Sequence, residues 1–297
     1  MAAIAVMTLL AAEDAASADN DFEAEISVGV EYDDNITIDS IDNNSAKGDS
    51  LLRINGAIGG QLFESGDTSL SARYSFFQSL HQDLTDFDLQ IHGFSGRLKT
   101  KAGKLNLGAD YRYDYIRLAG ADFLNVHTIG PDVGLLVAKN TYLTVGYQFR
   151  TQSFSDPARS ERDADRHSLD GKLYFLMGKG RNVTIGYRAS RQLATDDSFS
   201  YWGHRFDTGV KLPVELAEAK ATFRLRYRYQ QKDYSATDLR IGDRRHDKRH
   251  TARASLEIPF GKNLQADLEY RFVASNSNLA IVDYTSNSIR AGLGWTF

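Results

Sequence analysis

An alternation of apolar and polar residues runs along almost the whole chain and most limits how it can fold. The closing segment, residues 288–297, shows it clearly. One parity carries Ile289, Ala291, Leu293, Trp295 and Phe297, while the other carries small or polar residues. Because successive side chains of a strand point to opposite faces of its sheet, this segment is predicted to be a strand with one apolar face.

The same alternation recurs in about 14 segments after Asp19, each close to the ~9–11 residues that cross a bilayer when tilted. Apolar runs stay shorter than the roughly 18 residues that a membrane helix needs, and the mean hydropathy is -0.40. A membrane location would therefore require a closed barrel, since other strand arrangements leave backbone groups unpaired in lipid.

Two of the predicted strands are irregular. A parity change within 87–99 predicts a bulge near Gly93, and Pro131 predicts a bulge or local break.

The connections between the predicted strands alternate between short and long. Short turns are predicted at 64–68, 100–104, 139–141, 178–181, 215–218 and 261–263. Longer polar segments lie near 33–49, 79–86, 117–125, 151–166, 191–200, 231–248 and 274–286. Short periplasmic turns and long external loops are typical of outer-membrane barrels. The predicted fold class is all-β: a transmembrane antiparallel up-and-down β-barrel of about 14 strands.

Aromatic residues collect at the ends of the predicted strands. The outward-running strands end at Tyr32, Phe76, Tyr115, Phe149, Tyr229 and Phe272, and the inward-running ones at Phe175, Phe260, Trp295 and Phe297. Strand propensity alone would not place rings at the ends. The pattern therefore indicates aromatic girdles at two membrane interfaces.

Composition favours the cell envelope. The chain has no cysteine, which fits an oxidising compartment and excludes thiolate metal sites. A net charge of -4 does not point to nucleic acid. The apolar stretch Ala2–Ala12 and the small residues at 16–18 predict a secretory signal peptide over 1–18, although a basic start is missing; a frayed helix is the alternative. Residues 19–297 are then the barrel domain, and the predicted location is the bacterial outer membrane.

The parity opposite to the apolar one is predicted to line the bore, and it is rich in arginine. A guanidinium presents a rigid fork of donors that suits carboxylate, sulfate or phosphate. The predicted solute track consists of Arg224, Arg226, Arg228, Arg188, Arg253, Arg271 and Arg112. Asp207 and Glu257 share the bore face, so these arginines can instead form ion pairs that stiffen the wall and partly plug it. Both interpretations stay open, because the strand register decides which carboxylate meets which arginine.

No residue pattern predicts catalysis, a cofactor or a metal site. The 7 histidines are spread along the chain without a recognisable metal-binding pattern. His167 and Ser168 would point to opposite faces of a strand, which argues against a hydrolytic pair. The oxygen-rich segment 33–44 lacks the spacing of a calcium loop and is predicted to be a solvated external loop. The basic segment 240–249 is also predicted to be external. Such a run is usually only solvated, and the alternative is contact with lipopolysaccharide phosphates.

Two segments resemble known barrels. The closing strand is similar to that of bacterial outer-membrane barrels, whose terminal aromatic, here Phe297, is part of the signal read by the barrel-assembly machinery. The segment Gly29–Ile36 (GVEYDDNI) resembles the first strand and loop of a family of outer-membrane β-barrel porins, several of which accompany exopolysaccharide synthesis and export. The resemblance implies a porin-like barrel and carries over no catalytic residues.

These patterns predict a monomeric outer-membrane barrel that gives polar or anionic saccharides a route across the membrane, with a possible link to exopolysaccharide export. Its predicted partners are outer-membrane lipids, lipopolysaccharide and the assembly machinery, without nucleic acid or cofactor. The alternative is a closed structural or ligand-binding barrel that acts through its external loops. An enzyme is the least favoured hypothesis.

Overall fold

The computed structural model describes residues 22–216 and 219–297. The predicted signal peptide at 1–18 and the centre of the turn predicted at 215–218 lie outside the described residues. None of the helices in the described part of the chain is long and apolar enough to cross a membrane.

The described residues form sixteen strands, fourteen of which close into one antiparallel barrel, as predicted. Strands β2 and β3 pair only with each other, within the first loop. In chain order the strands are β1 (Phe22–Asp33), β2 (Thr37–Ile38), β3 (Asn43–Asn44), β4 (Asp49–Ser65), β5 (Thr68–His81), β6 (Leu89–Ala102), β7 (Leu105–Leu118), β8 (Ala121–Ala138), β9 (Thr141–Phe154), β10 (Ala164–Leu176), β11 (Asn182–Ala194), β12 (Tyr201–Leu216), β13 (Ala219–Asp238), β14 (Asp243–Phe260), β15 (Leu264–Ser277) and β16 (Tyr284–Thr296).

The first and last strands close the barrel. Strand β1 pairs with β16 from Glu25 opposite Thr296 to Asp33 opposite Ser288. One further bond extends this ladder, because the Phe297 amide donates to the Ala24 carbonyl at 2.8 Å. No strand edge of the barrel is left open, which is what a sheet surrounded by lipid requires.

Short turns gather at one end of the barrel and long loops at the other, as the sequence predicts. Strands β4 and β5, for example, are joined by two residues, one of which is Gly66 with φ of 56°. Some strands extend further at their loop-side ends than predicted; β13, for example, has 20 residues. That exceeds the ~9–11 residues of a crossing, so several strands extend beyond the membrane as paired sheet.

The apolar parity of each strand covers the outside of the barrel. Large side chains there are widely exposed, including Val30 (64%), Leu293 (57%) and Phe206 (52%). In water such a continuous apolar surface would drive association. Around a closed barrel it is the surface that faces lipid.

The predicted bulge near Gly93 is wrong. Strand β6 pairs with β5 without a shift of register, and Gly93 lies opposite Ser75. Leu89 and Ile91 line the bore beside Phe77, whereas Phe94 lies on the lipid side. The parity change therefore reflects apolar residues on the bore face and not a slipped strand.

Pro131 produces a local break without a bulge. It lies within β8 and faces Ala109 of β7 in continuous register. Pairing with β9 stops after Ile129 and resumes at Asp132 in the same register. The missing N–H of proline interrupts the ladder only at that point.

Candidate functional site in the barrel bore

The polar parity lines the bore, and its arginines differ in pairing from one side to the other. We call the side formed by β4 to β8 the paired wall. Its arginines all bind carboxylates: Arg53 binds Glu31, Arg73 binds Glu25, Arg97 binds Asp110 and Asp132, and Arg112 binds Asp114. These pairs leave the paired wall with little unbalanced charge.

We call the side formed by β9 to β15 the basic wall, and β13 brings the predicted ladder of three arginines to its surface. Glu257 on β14 binds Arg224. Asp207 on β12 accepts a bond from Arg228 Nε at 2.7 Å. Arg226, between them, forms no ion pair with any described residue. The register thus neutralises the two ends of the ladder and leaves its centre free.

Register also aligns Arg226 with two more arginines. Arg253 of β14 lies directly opposite Arg226, and Arg271 of β15 lies directly opposite Arg253. We call these three residues the arginine row. Arg253 Nε is 3.4 Å from Glu269 Oε1, while Arg271 makes no ion pair within the described chain.

The arginine row is suited to an anion. Like charges directly opposite one another on neighbouring strands repel, so the row is stabilised by a neutralising partner. Guanidinium groups bind carboxylate and phosphate through paired hydrogen bonds. Arg226 and Arg253 open onto a groove of about 490 Å³ that Lys172 and Lys211 also line.

Two more arginine pairs extend the basic wall. Arg150 lies opposite Arg166, and Arg188 lies opposite Arg205. Arg188 has a carboxylate partner, since its Nη2 is 3.0 Å from Asp170 Oδ1. Arg150 and Arg166 have no ion pair in the described ranges. The excess positive charge therefore spans several strands.

The predicted solute-track residues do not form one continuous track. Arg224, Arg226, Arg228, Arg253 and Arg271 gather on β13 to β15. Arg188 lies on β11 beside Asp170, and Arg112 lies on the paired wall beside Asp114. A role in solute passage stays a prediction for all seven.

The first external loop, residues 34–48, folds into the bore, and we call it the plug loop. Its Asp42 side chain is only 7% exposed. One oxygen of Asp42 lies 3.0 Å from Arg245 Nη1, and the other lies 3.1 Å from Arg162 Nη1 and 3.5 Å from Arg240 Nη1. These arginines come from β14 and from two other external loops, so one carboxylate ties three parts of the mouth together.

A second carboxylate holds the plug loop against β14. Arg249 donates to the two oxygens of Asp39 at 2.5 and 2.7 Å, and Tyr284 Oη donates to Asp39 at 3.1 Å. Burial by itself would raise the pKa of Asp39, but the hydrogen bonds and charge of Arg249 outweigh it and lower the pKa to about 2. Asp39 is therefore ionised at neutral pH.

Apolar residues of the plug loop contact a different part of the wall. Ile38 and Ile41 pack against a buried cluster on β8 and β9 formed by Phe123, Leu124, Val126 and Phe154. Strand β9 is six strands from β1 around the ring of fourteen. The plug loop therefore crosses the external mouth of the bore from one side almost to the other.

Two predictions about external loops are corrected by this geometry. Residues 38–42 are not simply solvated. Asp39 and Ser40 are exposed, but Ile38 and Ile41 pack against the wall, and Asp39 and Asp42 bind arginine. The basic segment 240–249 is not merely solvated either, since the Arg245 side chain is 3% exposed and binds Asp42. The interleaving of Ile36, Ile38 and Ile41 with Asp39 and Asp42 was the available signal for an inward-folded loop.

Comparisons with known proteins agree with this architecture. A family model described as surface lipoprotein assembly modifier matches residues 125–297. A loop-L8 deletion mutant of OmpT, an outer membrane protein of Vibrio cholerae, is similar in structure with a TM-score of 0.57 at 8% identity, covering 93% of this chain and 98% of that chain. An anion-selective porin from Comamonas acidovorans gives a TM-score of 0.54 at 9% identity, with the same two coverages of 93% and 98%.

No curated protein sequence matches this chain. At such low identities the structural matches show the fold alone, and that fold is the outer-membrane barrel. Together with the family match, they place the chain in the bacterial outer membrane, as predicted.

Proposed function

The chain belongs to the surface lipoprotein assembly modifier family, and on this basis we propose that its barrel is a gated passage that helps surface lipoproteins reach the outer face of the membrane. The observation that carries the proposal is the family match over residues 125–297. That segment includes the arginine row and the two arginines of β14 that hold the plug loop. The arginines that would bind a cargo and those of β14 that hold the plug loop thus lie within the family segment, whereas the plug loop itself, residues 34–48, precedes it.

The closed mouth supports a gated passage. A plug loop held by two carboxylates and an apolar contact keeps the outer membrane sealed at rest. A cargo that binds the basic wall or the mouth can release the loop by competing for its arginines. The bore would then conduct only while a cargo occupies it.

Deleting the gene from its native host tests this role. We expect the surface-exposed share of palmitate-labelled lipoproteins, measured with a membrane-impermeant biotin reagent on intact cells, to fall severalfold while the total stays constant. Re-expression of the wild-type chain should restore the surface share. An unchanged surface share in the deletion strain would contradict the proposal.

The arginine row favours a second candidate, an anion-preferring channel for polar or anionic saccharides. The Comamonas porin is described as anion-selective, and this chain has a similar fold with unpaired arginines in its bore. We expect liposomes that contain the opened barrel to swell faster in an anionic sugar than in a neutral sugar of equal size. Swelling that is absent for both sugars would contradict a channel.

We also propose a purely physical role in which the chain catalyses no reaction. Hydrolysis of lipid by the purified protein would contradict this proposal. Insertion by the barrel-assembly machinery, a monomeric state and a link to polysaccharide export stay predictions. Crosslinking in intact membranes tests the first two of these, and the genomic neighbourhood tests the third.

A further inference from the structure

Five loop-side hairpins carry the same tyrosine–histidine pair on the lipid-facing side of the barrel. In each pair the tyrosine of the outward-running strand shares a hydrogen bond with Nδ1 of a histidine on the next strand. The Oη–Nδ1 distances are 2.8 Å for Tyr74–His92, 2.9 Å for Tyr111–His127, 2.6 Å for Tyr147–His167, 2.7 Å for Tyr187–His204 and 2.7 Å for Tyr227–His250. In the hairpin of β15 and β16, Tyr270 Oη donates to Asn287 Oδ1 at 2.8 Å. We call the five pairs the Tyr–His belt.

The Tyr–His belt gives the histidines a common position that was not predicted from the sequence. They are far apart in sequence, but the register brings five of them to one level of the barrel. The signal was a histidine on the lipid-facing parity of five inward-running strands, close to the loop-side end. That these histidines lie at one level can be recognised only when the register of each hairpin is known.

The height of the belt follows from the strand register. His92, His127 and His167 lie opposite Phe76, Tyr113 and Phe149, each of which is the ninth residue of its strand. At about 3.3 Å per residue and a tilt of roughly 40°, this level is about 20 Å from the short-turn end. The apolar band of such barrels is about 25 Å tall, so the belt lies near its external edge.

The residues just beyond the belt confirm that this is an interface. On the same parity, most of the next positions toward the loops are polar, among them Gln78, Gln90, Arg117, Asn125, Thr151 and Lys248, while Trp202 follows His204. Some of these side chains bind one another, since Gln90 bonds to Gln78 at 3.0 Å and to Arg117 at 3.2 Å. The belt therefore lies where hydrocarbon gives way to lipid headgroups.

Each belt histidine has a donor to spare in the tautomer whose Nδ1 accepts from tyrosine. When the tyrosine hydroxyl donates to Nδ1, the neutral ring carries its proton on Nε2. The Nε2 atoms of the five rings make no hydrogen bond to the part of the chain that the structure describes. His127 and His167 are exposed, and the other three are half-buried. The pairs thus orient a row of N–H donors toward the surrounding headgroups.

The charges near the belt favour an anionic partner. Arg117, Arg191 and Lys248 lie on the lipid-facing parity just beyond it. Asp165 is an acidic residue at the same level, next to the strand position of His167. Asp122 binds Arg117, and Asp233 at the level of Arg191 binds His246, so Arg191 and Lys248 are left without an ion pair among the described residues and outnumber Asp165.

We propose that the Tyr–His belt binds the phosphate groups of glycolipids in the outer leaflet. Phosphate oxygens accept bonds from Nε2, and the basic side chains beyond the belt compensate their charge. The tyrosines are positioning residues, because each bond fixes the orientation of one ring. The lipid would hold the barrel at a defined depth while the mouth opens and closes.

Native mass spectrometry of the detergent-solubilised full chain tests the proposal, with diphosphorylated lipid A as the probe and its dephosphorylated form as the comparison. We expect the wild type to retain the phosphorylated lipid about tenfold more strongly. The double variant His127→Phe/His167→Phe removes the two most exposed donors and should abolish most of this preference. His246→Phe is the matched control, because His246 lies beyond the belt and binds Asp233, and it should behave like the wild type.

Two results would overturn the proposal: equal retention of both lipids by the wild type, or an unchanged preference in the double variant. Either would mean that the belt only anchors the barrel at the interface. Heat-modifiable migration on a gel verifies that each variant is folded. If the double variant does not fold, His127→Gln and His167→Gln measured singly must each reduce the preference, and unchanged values would again overturn it. None of these results depends on whether the bore carries a lipoprotein or a solute.

Discussion

The two walls of the bore use the same residue type in opposite ways. On the paired wall, Arg97 lies between Asp110 and Asp132 and binds both. On the basic wall, Arg226 faces Arg253 and has no carboxylate within reach among the described residues. The difference lies in where the acids fall. Every bore arginine of the paired wall reaches a carboxylate, whereas the register sets Arg226 opposite Arg253 and Arg150 opposite Arg166, and no described carboxylate pairs with Arg226, Arg150 or Arg166. Arginine stiffens the barrel on the first wall and remains available to an anion on the second.

The largest effect is expected at the plug loop, which bridges the two walls. Asp39→Asn/Asp42→Asn removes both carboxylates that hold the loop. Arg162 and Arg249 lose their ion-pair partner among the described residues, and the buried Asp42–Arg245 pair is broken, although Arg245 keeps Asp247. Breaking a buried pair in this way costs about 3–5 kcal/mol, so the loop should leave the bore. A cost of that size shifts the equilibrium between the closed and open loop by more than about tenfold, so single-channel conductance in planar bilayers should rise at least about tenfold.

Asp67→Asn is the matched control for this prediction. It removes one carboxylate from a short turn at the opposite end of the barrel and should leave conductance unchanged. If the plug-loop variant stays as closed as the wild type, the loop is not what seals the mouth.

The next effect compares the stability contributed by the two walls. Arg97→Gln leaves two carboxylates without their shared partner and should destabilise the barrel by about 2 kcal/mol. Arg226→Gln relieves repulsion and should change stability by less than about 0.5 kcal/mol, or increase it. Urea unfolding in detergent, followed by tryptophan fluorescence, measures both. Equal losses of unfolding free energy in the two variants would contradict the distinction between the paired wall and the basic wall.

The smallest effect is the response of the plug loop to pH. The pKa of Asp39 is lowered to about 2 from an ordinary value of 3.8, so its carboxylate is ionised over the whole neutral range. A lowered pKa means that the stabilisation is complete above about pH 4 and is lost as pH falls toward about 2. Conductance of the wild type should therefore stay low from pH 7 to pH 4. Opening within that range would show that the Asp39–Arg249 pair does not control the loop.

Much of the fold could be predicted from the sequence, because alternating apolar and polar residues indicate which side chains of a strand lie on each face of the sheet. The segment ending in Trp295 and Phe297 was predicted as the closing strand, and it pairs with β1. The pattern failed near Gly93, where Leu89 and Ile91 are apolar but face the bore. Hydropathy reports which residues are apolar and not which surface they contact.

The site was less predictable, because charge pairing depends on register. The sequence shows that Arg224, Arg226 and Arg228 share a face, but only the alignment of β12 to β15 shows that the middle one is left unpaired. The plug loop was missed for a related reason. Asp42 binds Arg162, Arg240 and Arg245, which are distant in sequence and meet only after the barrel closes.

The central claim is that the basic wall presents unpaired arginines to whatever enters the bore. The reversal potential of the opened Asp39→Asn/Asp42→Asn barrel under a KCl gradient tests it most directly. We predict anion preference that Arg226→Glu/Arg271→Glu reverses, while Arg191→Glu, which changes charge on the lipid side, leaves it unchanged. An opened barrel whose ion preference is the same with and without the two glutamates would contradict the account.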